Sequence, residues 1–572
     1  MTSRCLTTRP AEGSGVGKYD HLERDALVRL LERRDAERQL GLVWEREDLD
    51  PEAAQNEDFV ALEHDEALSH GDAPWQNLII EGDNYDALRA LRMSHAGRIR
   101  CIYIDPPYNT GNRDFVYNDR FVDKTHRFRH SLWLEFMHKR LTLARDLLAD
   151  DGVIFVSIDD NELFRLGMLM DRVFGTDNKL ACFAWQTDGN FDNQAKIKIS
   201  HEYVLAYARN ADLFPMPSVV DPNVPEGSKL FRAEIRNTII KNGPKNPVSE
   251  ILLPKGFPAS FAEGTVEARA DERWPQIDAP LVVRDSKLVK SVVLRSGWAN
   301  KGLCQQFIAN KFQPIKDSKG QETRFELTAT GAIENVKTRN ASHVISTLRN
   351  LGNTQSDSAM LADMAIQFTY PKPVKLIQYL ISILDDDSAT VLDFFAGSGT
   401  TAQAVAKLNA EDGGNRRFIL VSSTEATADE PDKNLCRDVC AMRVRRVLGG
   451  YTNTRGERVE GLGGGFAYLR TRRIAPYRLS TRIAHAEVWR ALQLIHDRAL
   501  TRWQGSGFQH DGALGYLADF REASLAALRA WLGDSRGAGR TLYAWTPHRI
   551  GELAPEADIA PIPDFLRARF GR

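Results

Sequence analysis

The chain is poor in the features that would commit it to a membrane, an oxidising compartment or a uniformly charged partner. No apolar run in its 572 residues approaches the ~20 needed to cross a bilayer. The opening stretch, Met1 to Gly17, lacks an apolar signal core and reads as a short irregular leader, so a cytoplasmic location is expected. Six scattered cysteines offer no disulfide framework, which fits a reducing compartment. Cys436 and Cys440 stand one helical turn apart, but with no second pair or nearby histidine no metal site is expected. A formal net charge of −2 supplies no global basic field, so a polyanionic partner would have to meet a local basic surface. At 42% hydrophobic and 27% charged the composition is that of an ordinary globular protein, long enough for two to four domains.

Against this background two short stretches stand out. In the first, Ile102-Tyr103-Ile104 reads as a buried strand that stops at Asp105-Pro106-Pro107-Tyr108. Two prolines remove two backbone donors and fix φ, so neither strand nor helix continues through them. A carboxylate and an aromatic ring are thereby held on a stiff loop at the carboxyl end of a strand, the edge at which open α/β sheets bind ligands. In the second, the strand Thr390-Val391-Leu392-Asp393 runs into Phe394-Phe395-Ala396-Gly397-Ser398-Gly399-Thr400-Thr401 and then a helix. Glycines admit a ligand close to the backbone, and a helix N-terminus offers free N–H groups. This is not a phosphate loop: Gly-Lys-Ser/Thr and Gly-x-Gly-x-x-Gly are both absent from it.

The first stretch resembles the Asp-Pro-Pro-Tyr motif of DNA amino-methyltransferases at all four positions, and the second resembles their S-adenosylmethionine motif, with Phe394 where the family usually has proline. The chemistry explains the residue types. The lone pair of an exocyclic base amine is delocalised into the ring. A carboxylate at Asp105, helped by a carbonyl in the proline turn, would accept the amine hydrogens and localise it, and a rigid loop serves that positioning. Tyr108 would stack on a base rotated out of the duplex, an interaction worth roughly 1–3 kcal/mol. By the same resemblance Asp393, Phe394, Ala396, Gly397, Ser398, Gly399, Thr400 and Thr401 seat S-adenosyl-L-methionine. Asp83, in Gly82-Asp83, belongs to the adenine pocket or caps a helix. Lys372, in Pro371-Lys372-Pro373, meets the cofactor's carboxylate, and Glu425, with Ser422 as the alternative, serves the ribose. No metal is implied.

The chain in order predicts a helix over 19–48, an acidic, loop-like stretch over 52–72, and then alternating strands and helices that read as a doubly wound sheet. Arg113, Tyr117, Arg120 and Lys124 lie in a polar loop suited to cover DNA. From 210 the rhythm breaks, and basic residues interleave with aromatics: Lys229, Phe231, Arg232, Arg236 and Lys241, then Arg295 and Trp298, and later Lys319, Arg324, Lys337 and Arg339. Such an insert resembles a target-recognition domain. The expected fold is α/β: a Rossmann-like S-adenosylmethionine-dependent methyltransferase sheet with this insert and a small C-terminal domain. The expected boundaries are 1–72 (leader and helical segment), 73–209 (catalytic half), 210–355 (recognition), 356–450 (cofactor half) and 451–572 (C-terminal domain beyond a Gly-rich linker).

The order of motifs, catalytic before cofactor, resembles the beta class of these enzymes. The overall length and the Asp-Pro-Pro-Tyr-Asn-Thr-Gly segment resemble the modification subunits of type III restriction systems, over roughly residues 19 to 470. The resemblance implies methylation of the N6 amine of adenine in double-stranded DNA, a homodimer, and a helicase/nuclease restriction subunit as possible partner. An Asp at the first motif position favours adenine, and Ser there favours the cytosine N4 amine. The carbon-5 cytosine mechanism needs a thiolate after proline, and none of the six cysteines follows one. The alternatives are N4-cytosine methylation, a recognition subunit whose main role is to place a nuclease or translocase, and methylation of RNA or a protein glutamine.

Overall fold

The computed structural model describes residues 23–29, 44, 58–111, 116, 117, 120, 121, 129–187, 196–225, 228, 234–318, 320–338, 343–426, 430–475, 482–533, 539–551 and 557–571. Most of the helix expected over 19–48 lies outside them. So do Arg113, Lys124, Lys229, Phe231, Arg232, Lys319, Arg339 and the side chains of Tyr117 and Arg120. The chain divides into two compact units, 1–214 with 346–572, and 215–345.

The first unit is built on a ten-stranded sheet. In chain order its strands are β1 (Phe59–His70), β2 (Asn77–Glu81), β3 (Ile99–Ile104), β4 (Leu148–Ile158), β5 (Lys179–Gln186), β6 (His201–Ala208), β7 (Thr347–Leu348), β8 (Thr390–Asp393), β9 (Arg417–Ser422) and β10 (Phe466–Ile474). In space they lie β1-β10-β2-β9-β8-β3-β4-β6-β5-β7. The six strands from β10 to β4 are mutually parallel, and β6 enters antiparallel beside β4. Parallel strands buried on both faces need near-continuous apolar sequence, and β3, β8 and β9 supply it. Alternate residues serve opposite layers. Ile102, Ile104, Ile154, Val156, Leu392, Ile419 and Val421 pack with the helices α1 (Asn84–His95), α2 (Arg129–Leu147) and α3 (Leu163–Phe174) in one core. Cys101, Tyr103, Val153, Phe155, Val391 and Leu420, equally buried, point the other way. Around the later strands β8 and β9 come α4 (Val374–Ser382), α5 (Thr400–Asp412) and α6 (Met442–Gly449).

Two expectations are corrected. The acidic stretch over 52–72 is not all loop, because Phe59–His70 is the edge strand β1. An edge strand tolerates polar outward residues, and here they pair across to β10: Arg472 with Glu63 at 2.7 Å and Arg470 with Asp65 at 2.9 Å. Nor does everything after the Gly-rich linker stand apart. Phe466–Ile474 inserts between β1 and β2 as β10, with Phe466, Ala467, Tyr468 and Leu469 buried. The linker reading failed because β10 finds its partners nearly 400 residues upstream. Beyond it, strands Phe508–Asp511, Leu514–Leu517, Thr541–Ala544 and Asp558–Pro561 form a four-stranded sheet with cores of its own.

The second unit carries short, mainly antiparallel sheets around Phe257, Phe307 and Phe325. Some of its cations are neutralised within it. Arg236 lies 2.8 Å from Glu234 and 2.7 Å from Glu326, Arg324 reaches Glu234 at 2.6 Å, and Lys337 pairs with Asp317.

Candidate active site

The sheet fixes where a ligand can enter. From β8 the chain returns through α5 to β9 on one side, and from β3 it returns through α2 to β4 on the other. Between β3 and β8, which pair at Cys101–Val391 and Ile102–Leu392, the winding direction reverses. A crevice opens at such a switch point beyond the carboxyl ends of the strands. Asp105 follows β3 there and Asp393 ends β8, so two motifs far apart in sequence meet at one edge.

The proline loop is braced from below. Trp133, fully buried on α2, donates its indole N–H to the Pro107 carbonyl at 2.7 Å. Asn109 sits in the left-handed region at φ 57° and donates to the Glu162 carboxylate at 2.5 Å, which His130 also contacts at 2.5 Å. The loop thus returns to the core on side-chain hydrogen bonds from Trp133 of α2 and to Glu162.

Above it lies a cluster of charges. Lys372, with 11% of its side chain exposed, places Nζ 3.2 Å from Asp105 Oδ1 and 3.1 Å from Glu202 Oε2. Tyr108 donates its hydroxyl to the same Glu202 oxygen at 3.0 Å, and the Lys372 ammonium lies 4.8 Å from the Tyr108 ring centroid. Burial pushes the Asp105 carboxyl above its usual range, the Lys372 cation pulls it back and the Glu202 charge pushes it up again. Burial opposes the charge on Lys372, yet Asp105 and Glu202 together hold its ammonium above the ordinary lysine range. Lys372 therefore falls at the proline loop, with both short contacts going to carboxylates of the chain itself.

The glycine turn has its own support. Asp393, 3% exposed, accepts the Phe395 backbone N–H at 3.0 Å and the Thr401 hydroxyl at 2.5 Å. Burial, with a smaller push from Asp105, raises its pKa to about 7 against these two bonds. Gly397 (φ 49°) and Gly399 (φ 80°) adopt left-handed backbone, and a Cβ on Gly399 would come 3.2 Å from the Cys440 carbonyl and sulfur. The Ser398 and Thr400 hydroxyls turn inward. The fully buried Arg443 donates to them at 2.9 and 2.7 Å and to Gln403 at 2.9 Å. Burial lowers the Arg443 pKa to about 10. Ala396 is buried, and Phe394 fills the core while its carbonyl accepts from Asn84 at 2.8 Å.

Asp83 caps α1, accepting the Tyr85 N–H at 2.9 Å, and also meets Arg140 at 3.0 Å. Glu425 stands half exposed at φ 53° and pairs with Lys433 at 3.1 Å. Ser422 ends β9 at the crevice edge with its hydroxyl buried and lacking a hydrogen-bond partner among the described residues. The residues present fit an adenosyl cofactor. The α5 N-terminus is capped by Gly399 with no side chain on its N–H groups, a Cβ at Gly397 would touch only the Phe368 ring and the Phe395 carbonyl, and Ser422 keeps a spare polar atom.

Reading the sequence alone misses Glu202, Trp133, Glu162 and Arg443. Glu202 opens a strand that reads only as buried sheet. Because β6 runs opposite to β4, its first residues lie at the edge where the parallel strands end.

A family model described as DNA methylase matches residues 99–429, more than half of the chain. The chain is 34% identical over 384 residues to the type III restriction-modification enzyme EcoPI Mod subunit of Escherichia phage P1, covering 61% of this chain and 58% of that one. It is 31% identical over 356 residues to the type II methyltransferase M.KpnI of Klebsiella pneumoniae, covering 60% of this chain and 79% of that one. Among solved structures, the PvuII DNA methyltransferase (cytosine-N4-specific) covers 66% of this chain and 89% of its own length at 12% identity, with a TM-score of 0.32. The chain spans under two-thirds of the length of the type III relatives it matches.

Proposed function

Because the chain belongs to the DNA methylase family, we propose that it transfers a methyl group from S-adenosyl-L-methionine to the N6 amine of adenine in duplex DNA. The observation that carries this reading is the meeting of Asp105 and Asp393 at one crevice: an amine acceptor on a rigid loop beside a glycine turn and a helix N-terminus.

S-adenosylmethionine, when bound, supplies an electrophilic methyl group. The residues that would hold it are Asp393 and the turn 396–401, with Ser422 at the neighbouring strand end and Asp83 at the end of β2, one strand further on. Asp105 and a carbonyl of the proline turn accept the two amine hydrogens, so that the nitrogen lone pair is drawn out of the ring. Tyr108 stacks on the flipped base. Asp105 would take the amine hydrogen that the incoming methyl group displaces. Burial and the Glu202 charge make that carboxylate a better proton acceptor than a solvated one. Trp133 holds the loop against recoil.

Adenine is assigned from Asp at position 105. The proposal extends to a restriction subunit as partner, from likeness to Mod subunits of type III restriction-modification enzymes, to a homodimer, and to residues 215–345 as the recognition unit. The test is methylation of mixed-sequence duplex DNA with labelled cofactor, followed by digestion to nucleosides. Label in N6-methyladenine that disappears in Asp105→Ala, with cofactor binding retained, is the expected result. Label in N4-methylcytosine would overturn the base, and label retained in Asp105→Ala would overturn the mechanism.

A further inference from the structure

Glu202 lies outside both motifs, yet it touches the proline loop at Tyr108 and reaches Asp105 through Lys372. One of its carboxylate oxygens accepts the Tyr108 hydroxyl at 3.0 Å and meets the Lys372 ammonium at 3.1 Å, and that ammonium in turn meets Asp105 at 3.2 Å. A single oxygen thus connects the residue that would stack on the base with the residue that would accept its amine.

A purely stabilising role fits poorly. One carboxylate is enough to balance Lys372, and a second gathers two negative charges on one cation in a site where Glu202 and Asp105 are each only 26% exposed. What the second carboxylate adds is geometry. It fixes the Tyr108 ring by its hydroxyl, holds the lysine between two anions instead of collapsed onto one, and leaves Asp105 incompletely neutralised.

We propose that Glu202 is a positioning residue for methyl transfer, which orients Tyr108 directly and sets the orientation and charge of Asp105 through Lys372. The proposal rests on the reading of Asp105 as the amine acceptor. It also gives Lys372 a role at the reacting amine and not at the cofactor carboxylate.

The charged and titratable groups around the pair are few. Lys372, Tyr108, Tyr103 and Asp393 act on Asp105 or are acted on by it, and Asp159 also feels Glu202. Among these, Glu202 raises the Asp105 pKa and Lys372 lowers it. Removing the Glu202 charge must therefore lower the pH at which Asp105 takes a proton, and it lets Lys372 pair one-to-one with Asp105.

The test is Glu202→Gln, which keeps an oxygen for Tyr108 and removes the charge. Single-turnover methylation is followed at saturating DNA and cofactor from pH 5 to 8.5, beside wild type and Tyr108→Phe. The expected result for Glu202→Gln is a plateau rate lowered about 10- to 100-fold, with cofactor affinity unchanged. The acid limb should move down by about half to one pH unit. Tyr108→Phe should lose rate and move the limb the opposite way, upward, because the Tyr108 hydroxyl lowers the Asp105 pKa. A Glu202→Gln protein with the wild-type rate and limb overturns the proposal. So does one that no longer binds cofactor, because the role is then one of folding. If wild type itself methylates no DNA, the underlying reading falls, an outcome distinct from either.

Discussion

Asp393→Asn isolates the electrostatic cost of the glycine turn. The amide is nearly isosteric: its oxygen can still accept the Phe395 N–H, and its nitrogen can donate to the Thr401 hydroxyl, which now accepts. What disappears is the titration. Asp393 has a pKa of about 7 in the folded chain against 3.8 for the free group, and burial is the first cause. The sign follows. Between these values the folded protein holds a proton that the unfolded chain has released, so stability is lost as pH rises. The contribution is fully present below about pH 4 and gone above about pH 7. The slope is about 1.4 kcal/mol per pH unit. From pH 5 to 7 the wild type should lose roughly 2–3 kcal/mol relative to Asp393→Asn, and the difference should level off by about pH 8. Urea titrations of both proteins at half-unit pH steps, without cofactor, give that difference directly, because every other titrating group is common to the two. Parallel stability curves across pH 5–8 would refute the argument and mean that Asp393 ionises without penalty.

Two further substitutions probe the braces. Arg443→Met should remove the donor shared by Ser398, Thr400 and Gln403 in a fully buried site. The expected loss is about 3 kcal/mol by denaturant titration, together with weaker cofactor binding by calorimetry. Trp133→Phe leaves the Pro107 carbonyl without its donor. A cost of about 1–2 kcal/mol is expected, with the methylation rate falling more than cofactor affinity.

The two motifs proposed to form the reacting centre were legible because each is local. Asp105 to Tyr108 and Asp393 to Thr401 each carry strand, stop and functional group in one short run, so the backbone around them follows from residue type. The partners were not legible, because they are set by the sheet. Glu202 is one position in a run, His201–Ala208, that reads as strand. Its role comes from antiparallel entry beside β4. Arg443 reads as one cation on an amphipathic helix, and only packing against the glycine turn buries it. Lys372 was singled out as a partner of the cofactor carboxylate, but its contacts on Asp105 and Glu202 depend on folding across 170 residues or more. The strands β1 and β10 were missed together, since each is convincing only beside the other.

The place of β8 in the sheet has a consequence for biosynthesis. β4 follows β3 within about 50 residues and covers one of its edges early, but the other edge waits for β8. The 288 residues separating Asp105 from Asp393 leave the ribosome in roughly 15–60 s at ordinary elongation rates. Throughout that interval the nascent half-sheet presents an unpaired apolar edge, which chaperones bind and neighbouring chains on a polysome can join. A polypeptide truncated before residue 390 would carry the reactive loop with no crevice beside it. The crevice then forms as a late event in the life of each chain, and a prematurely terminated product lacks it.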